Sequence, residues 1–251
     1  MLVEHTDAVG VRTVVLNRAD KRNAFNGPLL DALEQTLSAA VDDPTVAVIL
    51  LTGAGPAFSA GADLGELDRS APSANSKEHF DRLIATLSNL AKPLLVAVNG
   101  AAAGFGMTIL GYADLVFMST DARLRCPFTE FGLAPEAASS YLLPRLVGRQ
   151  HAAWILLSSE WITAQDAHAM GLAWKLCEPD ILLATAHEHA ERLARWPIAS
   201  LTAVKRTMVA PLRAGIAAAH ETEMAAFAEL MQPRSPSDSS HDAATRFGLQ
   251  D

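Results

Sequence analysis

The sequence has little of three features that mark particular classes of protein: cysteine, clustered positive charge and long apolar runs. Its 251 residues include only 2 cysteines, which are too few for a disulfide framework, and they form no Cys-x-x-Cys pair. The 20 Lys and Arg are scattered among 28 Asp and Glu, so the net charge is -8 and there is no basic stretch for nucleic acid. We therefore expect a protein of the reducing cytoplasm that does not bind nucleic acid.

Features of membrane and exported proteins are missing as well. No apolar run reaches the length of a membrane span, and the first residues lack the basic and apolar regions of a signal peptide. We expect no membrane partner. What is present, 50% hydrophobic and 19% charged residues with 15 Gly and 13 Pro, is typical of a chain that folds into a globular protein.

Hydrophobic patterning predicts an alternation of strands and helices over the first half of the chain. A run rich in β-branched residues at 11–16 and short apolar runs at residues 46–51, 94–98 and 115–118 predict buried strands. The segments between the first three runs carry apolar residues at helical spacing, which predicts amphipathic helices. This alternation predicts an α/β fold with mostly parallel strands. Beyond about residue 141 strand signals nearly vanish and helical patterns dominate.

Two glycine-containing loops follow predicted strands. The first, residues 57–64, places Gly61 among small residues, and the second, residues 98–107, contains Gly100, Gly104 and Gly106. Small residues let backbone approach a ligand closely, and the start of a helix offers unpaired N–H groups to an anion. Either loop alone is typical of a tight connection between a strand and a helix. Together the two loops can form one oxyanion-binding site.

Four motifs in order resemble those of the enoyl-CoA hydratase/isomerase (crotonase) family: Asn23-Ala24, residues 58–64, residues 99–106 and residues 163–172. The resemblance covers roughly residues 3 to 230. It implies a spiral of ββα units with a coenzyme A site over residues 1–195. A C-terminal helical region over residues 196–251, used to form homotrimers or hexamers, would follow, and its last part looks loosely ordered.

The resemblance also implies the substrate and its binding residues. The substrate is an acyl-CoA thioester, so coenzyme A is part of the substrate, and no separate cofactor or metal is expected. The backbone amides of Ala62 and Phe105 would hold the thioester oxygen, and Phe105 would act through its N–H rather than its ring. The residues that match the coenzyme A groove are Lys21, Arg22, Ala24, Ala60, Asp63 and Leu64.

The identity of the catalytic base decides the reaction. Hydratases of this family resemble one another in carrying two glutamates, at positions that are Thr108 and Phe128 here. Two other carboxylates lie nearby, Glu130 and Glu136. The run around Glu136 resembles peroxisomal-type Δ3,Δ2-enoyl-CoA isomerases, in which a glutamate at the matching position is the single base. Its apolar neighbours predict a raised pKa.

We therefore predict an isomerase that converts a 3-enoyl-CoA to a 2-enoyl-CoA through Glu136. Two alternatives remain open: a divergent hydratase or thioester-handling lyase assisted by Glu130 or Thr108, and an acyl-CoA-binding or oligomer-scaffolding homologue without activity. Outside that context, Glu136 is equally well explained as a glutamate stabilised at a helix start. We expect Glu130 to form an ion pair with an arginine such as Arg123 or Arg125.

A pair of histidines, His187 and His189, lies on a predicted helix with several carboxylates. A solvated helix face explains this pattern better than a metal site does. Ser139 and Ser140 have no evident histidine partner, so a serine nucleophile is not expected.

Overall fold

Two β-sheets form the centre of the protein in the computed structural model, which describes residues 1–63, 65 and 74–231. In this part of the chain the strands are β1 (Val3–Ala8), β2 (Val11–Leu16), β3 (Val48–Gly53), β4 (Ala57–Ser59), β5 (Leu94–Val98), β6 (Ala101–Ala103), β7 (Leu115–Ser119), β8 (Arg123–Arg125), β9 (Ile162–Thr163) and β10 (Lys175–Cys177). The larger sheet has the order β1-β2-β3-β5-β7-β10, and the smaller sheet has the order β4-β6-β8-β9. The expectations for Leu64 and for residues 232–251 fall outside the described residues.

From β3 to β8, consecutive strands alternate between the two sheets. β3, β5 and β7 pair in parallel in the larger sheet, and β4, β6 and β8, each directly following one of them, pair in parallel in the smaller sheet. Only the outermost pairs, β1 with β2 and β8 with β9, are antiparallel. The chain therefore winds in successive turns of two strands, and the predicted α/β spiral is confirmed.

Helices connect and cover these turns. Their bounds are α1 (Gly27–Asp42), α2 (Ala74–Asn89), α3 (Phe105–Thr108), α4 (Ser139–Leu146), α5 (Arg149–Ser158), α6 (Ala164–Ala169), α7 (Leu182–Ala194), α8 (Ile198–Val209) and α9 (Arg213–Leu230). Helix α1 begins at a side-chain cap, because Asn26 accepts a hydrogen bond from the Leu29 N–H at 3.0 Å. Its apolar residues recur at helical spacing, so Leu29, Leu33 and Leu37 are fully buried.

The larger sheet has an apolar core on each face. One core joins the sheet to α1, α2 and the smaller sheet, with Leu51, Leu83 and Phe58 among its buried members. The second core lies under α7, where Ala186 and Ala190 contact residues of the central strands such as Leu95. Because both faces are covered, the central strands are continuous apolar runs, as parallel sheets require.

Helix α8 leaves most of its surface uncovered by the described chain. Its one fully buried residue, Lys205, forms an ion pair with Asp114 beside β7, while Val204 and Met208 are 57% and 62% exposed. Helix α9 packs on α4 and α2. In the described residues, no helix is both long and apolar enough to cross a membrane.

We expect the protein to form a trimer or hexamer in which α8 contributes an apolar contact. Replacing the exposed Met208 by Glu places a charge in that contact, so Met208→Glu should shift the population toward smaller species. Sedimentation velocity at micromolar concentration measures this. Glu188→Lys, an exposed charge change on α7, is the control. A wild-type protein that sediments as a stable monomer contradicts the expectation.

Candidate active site

The two glycine-containing loops touch each other, and at Gly61 only glycine fits. Gly61 has φ +86°, and a Cβ added there would lie 2.6 Å from the carbonyl oxygen of Ala103. Gly104, at the end of the second loop, has φ +50°, and a Cβ there would lie 3.7 Å from the Gly61 Cα. Residues with a Cβ rarely adopt such positive φ angles. The close approach of the loops thus requires glycine at Gly61, and the positive φ favours glycine at Gly104.

The first loop holds its backbone so that one amide stays free. The Phe25 N–H donates to the Gly61 carbonyl at 2.7 Å, and the Asp63 N–H donates to the Phe25 carbonyl at 2.9 Å. Ala62, which lies between these two bonds, therefore turns its own N–H away from Phe25. Within residues 1–63, 65 and 74–231, that N–H has no acceptor.

The second loop presents a free amide in the same neighbourhood. Its entry is fixed where the Gly104 N–H donates to the Arg125 carbonyl at 2.9 Å, and the Gly104 carbonyl accepts from Met107 and Thr108. Phe105 begins helix α3, so its N–H precedes the first helical hydrogen bond and finds no acceptor among the described residues. The two amides predicted from the sequence thus belong to loops in contact.

The Phe105 ring also has a structural role. It is 2% exposed and makes edge-to-face contacts with Phe25 and Phe80, with ring centroids 4.8 and 5.1 Å apart. Truncating a buried Phe costs about 3–5 kcal/mol. The expectation that Phe105 acts on the substrate through its N–H stays a prediction, and a variant that tests it has to keep a large apolar side chain so that the fold is preserved.

A cavity of about 330 Å³ opens beside the loops, and Ala60, Ala62, Gly104 and Glu136 are among the residues that line it. The Glu136 carboxylate lies next to the second loop, since its Oε1 would be 3.9 Å from a Cβ on Gly104. The remaining wall is mostly apolar and is formed by side chains that include Phe128, Phe131, Leu133, Ala134, Trp161 and Phe227. One carboxylate therefore faces an apolar chamber next to two free amides.

The environment of Glu136 changes its acidity. Burial of its carboxyl beside the cavity, reinforced by the negative charge of Glu223, raises the pKa of Glu136 from 4.5 to about 7. The apolar sequence neighbours predicted this direction. Beneath the site, burial also raises the pKa of the Cys126 thiol, which contacts the Met107 sulfur at 3.0 Å. A carboxylate with a pKa near neutrality is suited to taking up and returning a proton.

The segment before α1 fixes the first loop from behind, through a residue whose role the sequence does not reveal. Asn23 is fully buried with φ +54°, and its amide donates to the carbonyls of Ala54, Ala57 and Phe58 at 2.9–3.1 Å. The Ser59 hydroxyl donates to the Asn23 carbonyl and accepts from the Gly61 N–H. The sequence shows Asn23 as a motif residue, but the three carbonyls that accept from its side-chain amide lie more than 30 positions away.

The predicted coenzyme A residues occupy different surroundings. Arg22 and Ala60 line the cavity, and Lys21 is exposed nearby in sequence but does not line it. Ala24 is buried. Asp63 faces Arg18, which donates to it at 2.5 Å, and this hydrogen bond lowers the pKa of Asp63. Asp63 therefore fixes the loop, in addition to any contact with a ligand.

The histidine pair does not form a solvated face. His187 contacts the Thr13 hydroxyl at 3.3 Å, and His189 packs against Phe117 and Trp174, so both rings are partly buried between α7 and the sheet. In the described part of the chain, no group of three or more His, Cys, Asp or Glu side chains is placed to hold a metal ion.

Comparison with known proteins decides the family. The model of the enoyl-CoA hydratase/isomerase family matches residues 6–244. The chain belongs to this family.

Individual members differ in activity. A 1,2-epoxyphenylacetyl-CoA isomerase of Escherichia coli is 35% identical over 79% of this chain and 78% of its own length, and a 2,3-dehydroadipyl-CoA hydratase of the same bacterium is 36% identical over 79% and 78%. Among solved structures, an enoyl-CoA hydratase from Mycobacterium marinum is 56% identical, covers 84% of this chain and 100% of its own, and has a TM-score of 0.79. Similarity alone therefore does not separate isomerase from hydratase.

The positions of the two hydratase glutamates hold no acid in this member of the enoyl-CoA hydratase/isomerase family. Thr108 is buried, its hydroxyl has no partner among the described residues, and Phe128 forms part of the cavity wall. Glu130 forms an ion pair with Arg125, as predicted. Arg125 is held in turn by a 2.6 Å bond to the Ser159 carbonyl. Glu136 is thus the carboxylate that remains available in the cavity.

We predict that Gly61→Ala lowers turnover of an acyl-CoA by about 10²- to 10³-fold, the usual cost of losing one oxyanion donor. The added carbon meets the Ala103 carbonyl, so the Ala62 amide has to move. Steady-state kinetics on the folded protein measures this.

Gly132→Ala is the matched control. Gly132 also has positive φ, at +68°, but nothing lies within 4 Å of its added carbon. Backbone strain at positive φ should cost both variants about 1 kcal/mol of stability, and Gly61→Ala should lose more because its added carbon also meets the Ala103 carbonyl. Equal losses of activity in the two variants would show that strain, and not displacement of the loop, is responsible.

Proposed function

We propose that the protein is an acyl-CoA isomerase that moves the double bond of a 3-enoyl-CoA into the 2-position, with Glu136 as its single acid-base group. The observation that carries the proposal is the position of Glu136: it faces the cavity beside the two free amides, and its pKa is raised to about 7. The family supports a CoA thioester as the substrate.

One carboxylate is sufficient for this reaction. Glu136 takes a proton from C2, and the electrons of that C–H bond move onto the thioester oxygen, which accepts hydrogen bonds from the amides of Ala62 and Phe105. The resulting dienolate has negative charge at the oxygen and at C4. Glu136 returns the proton to C4, the C2–C3 double bond forms, and the charge leaves the oxygen. The reaction consumes no water and requires no second acid.

The composition of the cavity supports this choice over hydration. Addition of water requires a group that activates the water and one that protonates the substrate. The two positions that supply these groups in hydratases are Thr108 and Phe128, and Glu130 is engaged by Arg125. The apolar walls suit an acyl chain and exclude water from the dienolate.

Coenzyme A would enter past the segment before α1. Arg22 lines the cavity, and Lys21 is exposed beside it, so both cations are available to the phosphates of the substrate. Ala60 and Ala62 form part of the adjoining wall. In this proposal Ala24 and Asp63 contribute by fixing that wall.

A panel of 2-enoyl and 3-enoyl thioesters tests the proposed reaction. We expect a 3-enoyl-CoA to yield a conjugated 2-enoyl-CoA, followed by its absorbance, and a 2-enoyl-CoA to take up little water. Dominant formation of 3-hydroxyacyl-CoA contradicts the proposal and favours a divergent hydratase. Binding without any product identifies an inactive acyl-CoA-binding homologue.

We predict that Glu136→Gln lowers kcat for isomerisation by about 10²-fold or more and leaves acyl-CoA binding nearly unchanged, because the amide keeps the shape but cannot accept the proton. Steady-state kinetics with titration calorimetry of a saturated acyl-CoA separates the two effects. The control is Glu130→Gln, which should lower stability slightly and the rate little. Loss of activity in the Glu130 variant alone would move the base to Glu130.

We predict that Glu136 makes the fold less stable as the pH rises. The folded state holds this proton more tightly than the unfolded chain does, since the pKa is about 7 in place of 4.5. Its contribution is therefore fully present below about pH 4.5 and is lost as the pH rises through about 7. Urea unfolding of Glu136→Gln should show a gain over the wild type at about pH 8 that shrinks toward about pH 5. A gain independent of pH would contradict the assignment of this pKa.

A further inference from the structure

Helix α9 carries a buried carboxylate that contacts the chain next to the catalytic base. Glu223 is 3% exposed, yet in the described residues it forms no ion pair. Its Oε2 accepts a hydrogen bond from the Ala138 N–H at 2.7 Å, and its Oε1 accepts one from the Ser140 N–H at 2.8 Å. A buried charge is costly unless it has a specific function or partner. Two backbone amides near Glu136 are its direct hydrogen-bond partners.

The segment that Glu223 contacts has an unusual backbone. Ala137 and Ala138, directly after Glu136, have φ +59° and +54°, values that residues with a Cβ seldom adopt. Such a conformation persists where its surroundings fix it. Here the Glu223 carboxylate holds the amides on the C-terminal side, and the Tyr112 hydroxyl donates to the Ala137 carbonyl at 2.8 Å. The turn sets the direction in which the Glu136 side chain leaves the backbone.

We propose that Glu223 is a positioning residue for Glu136: its carboxylate holds the left-handed turn at residues 137–138 and thereby aims the catalytic carboxylate at the substrate. The proposal rests on the role of Glu136 under the proposed function. The same helix face supplies Phe227 to the cavity wall, so α9 contributes to both the base and the acyl chamber.

The charge of Glu223 acts on the base as well. Burial has the larger effect on the pKa of Glu136, and the neighbouring carboxylate adds to it in the same direction. The other titratable or charged groups near Glu136 are the Cys126 thiol behind it, the Arg22 and Arg125 side chains that line the cavity, and the Tyr112 hydroxyl. Arg125 is already paired with an acid, so its charge is largely balanced. Removing the Glu223 charge should therefore lower the pKa of Glu136.

Two variants separate the effect of the length of the Glu223 side chain from the effect of its charge. Glu223→Gln keeps the size but removes the charge and one of the two acceptor oxygens. Glu223→Asp keeps the charge but is one methylene shorter, so it cannot satisfy both amides. Glu221→Gln, an exposed position on the same helix, is the matched control.

The readouts are kcat, KM and the pKa of Glu136. Carboxyl 13C NMR of protein labelled at glutamate measures this pKa. The Glu136 signal is assigned as the one that is missing from the Glu136→Gln spectrum. We expect kcat of Glu223→Gln to fall about 10- to 100-fold with KM nearly unchanged, as a misplaced reacting group predicts. The pKa of Glu136 and the acidic limb of the rate profile should both move to lower pH. Glu223→Asp should lose kcat while this pKa stays near the wild-type value, and Glu221→Gln should match the wild type.

Several outcomes would overturn the proposal. A folded Glu223→Gln protein with wild-type kcat and an unchanged Glu136 pKa excludes positioning. A lower melting temperature with unchanged kcat and pKa assigns Glu223 a structural role only. The NMR titration needs no substrate, so it reports on the contact even if the protein does not isomerise a 3-enoyl-CoA. Failure of the proposed function therefore appears in the thioester panel, whereas failure of this inference appears as a wild-type kcat of Glu223→Gln and Glu223→Asp on whichever thioester the panel shows to react.

Discussion

The close approach of two backbone loops is the constraint on which the site depends. At Gly61 there is no room for even one carbon beyond the Cα, because the Ala103 carbonyl occupies that space. The approach places β4 and β6 side by side and leaves two amides without partners in the described chain. In a folded protein, free amides are costly, so they are kept where a ligand accepts from them. The buried Asn23 and Ser59 side chains stabilise the backbone of the first loop in this arrangement.

The long elements of the fold were predictable because their signals are local. Strands Val11–Leu16 and Leu94–Val98 have the predicted bounds, since the first is rich in β-branched residues, the second is a continuous apolar run, and both are largely buried. Strands of two or three residues, such as β4, β6, β9 and β10, have no period to detect, and pairing with distant strands defines them. Strand β1 escaped prediction because only Val3 is buried, so it shows no apolar run.

The site was predictable to the extent that motifs carry it. Ala62, Phe105 and Glu136 were assigned by the family resemblance, and the structure brings their loops and the carboxylate around one cavity. The packing of the Phe105 ring could not be read from the sequence, because its partners lie 80 and 25 positions away in the chain. The role of Glu223 could not be predicted for the same reason, because the two amides that donate to it are 83 and 85 positions distant in the chain. Residues that act through the backbone of others leave no local pattern.

Cys126 has a consequence for the chemistry proposed. A 2-enoyl thioester is an electrophile that thiolates attack at C3, so an enzyme that makes one risks alkylation by its own product. Cys126 lies directly behind the base, but burial raises its pKa, and it stays a neutral thiol with its sulfur against Met107. Cys177, the other cysteine of the sequence, is buried at the far edge of the larger sheet. The protein can therefore release a reactive product without presenting it with a nucleophilic sulfur.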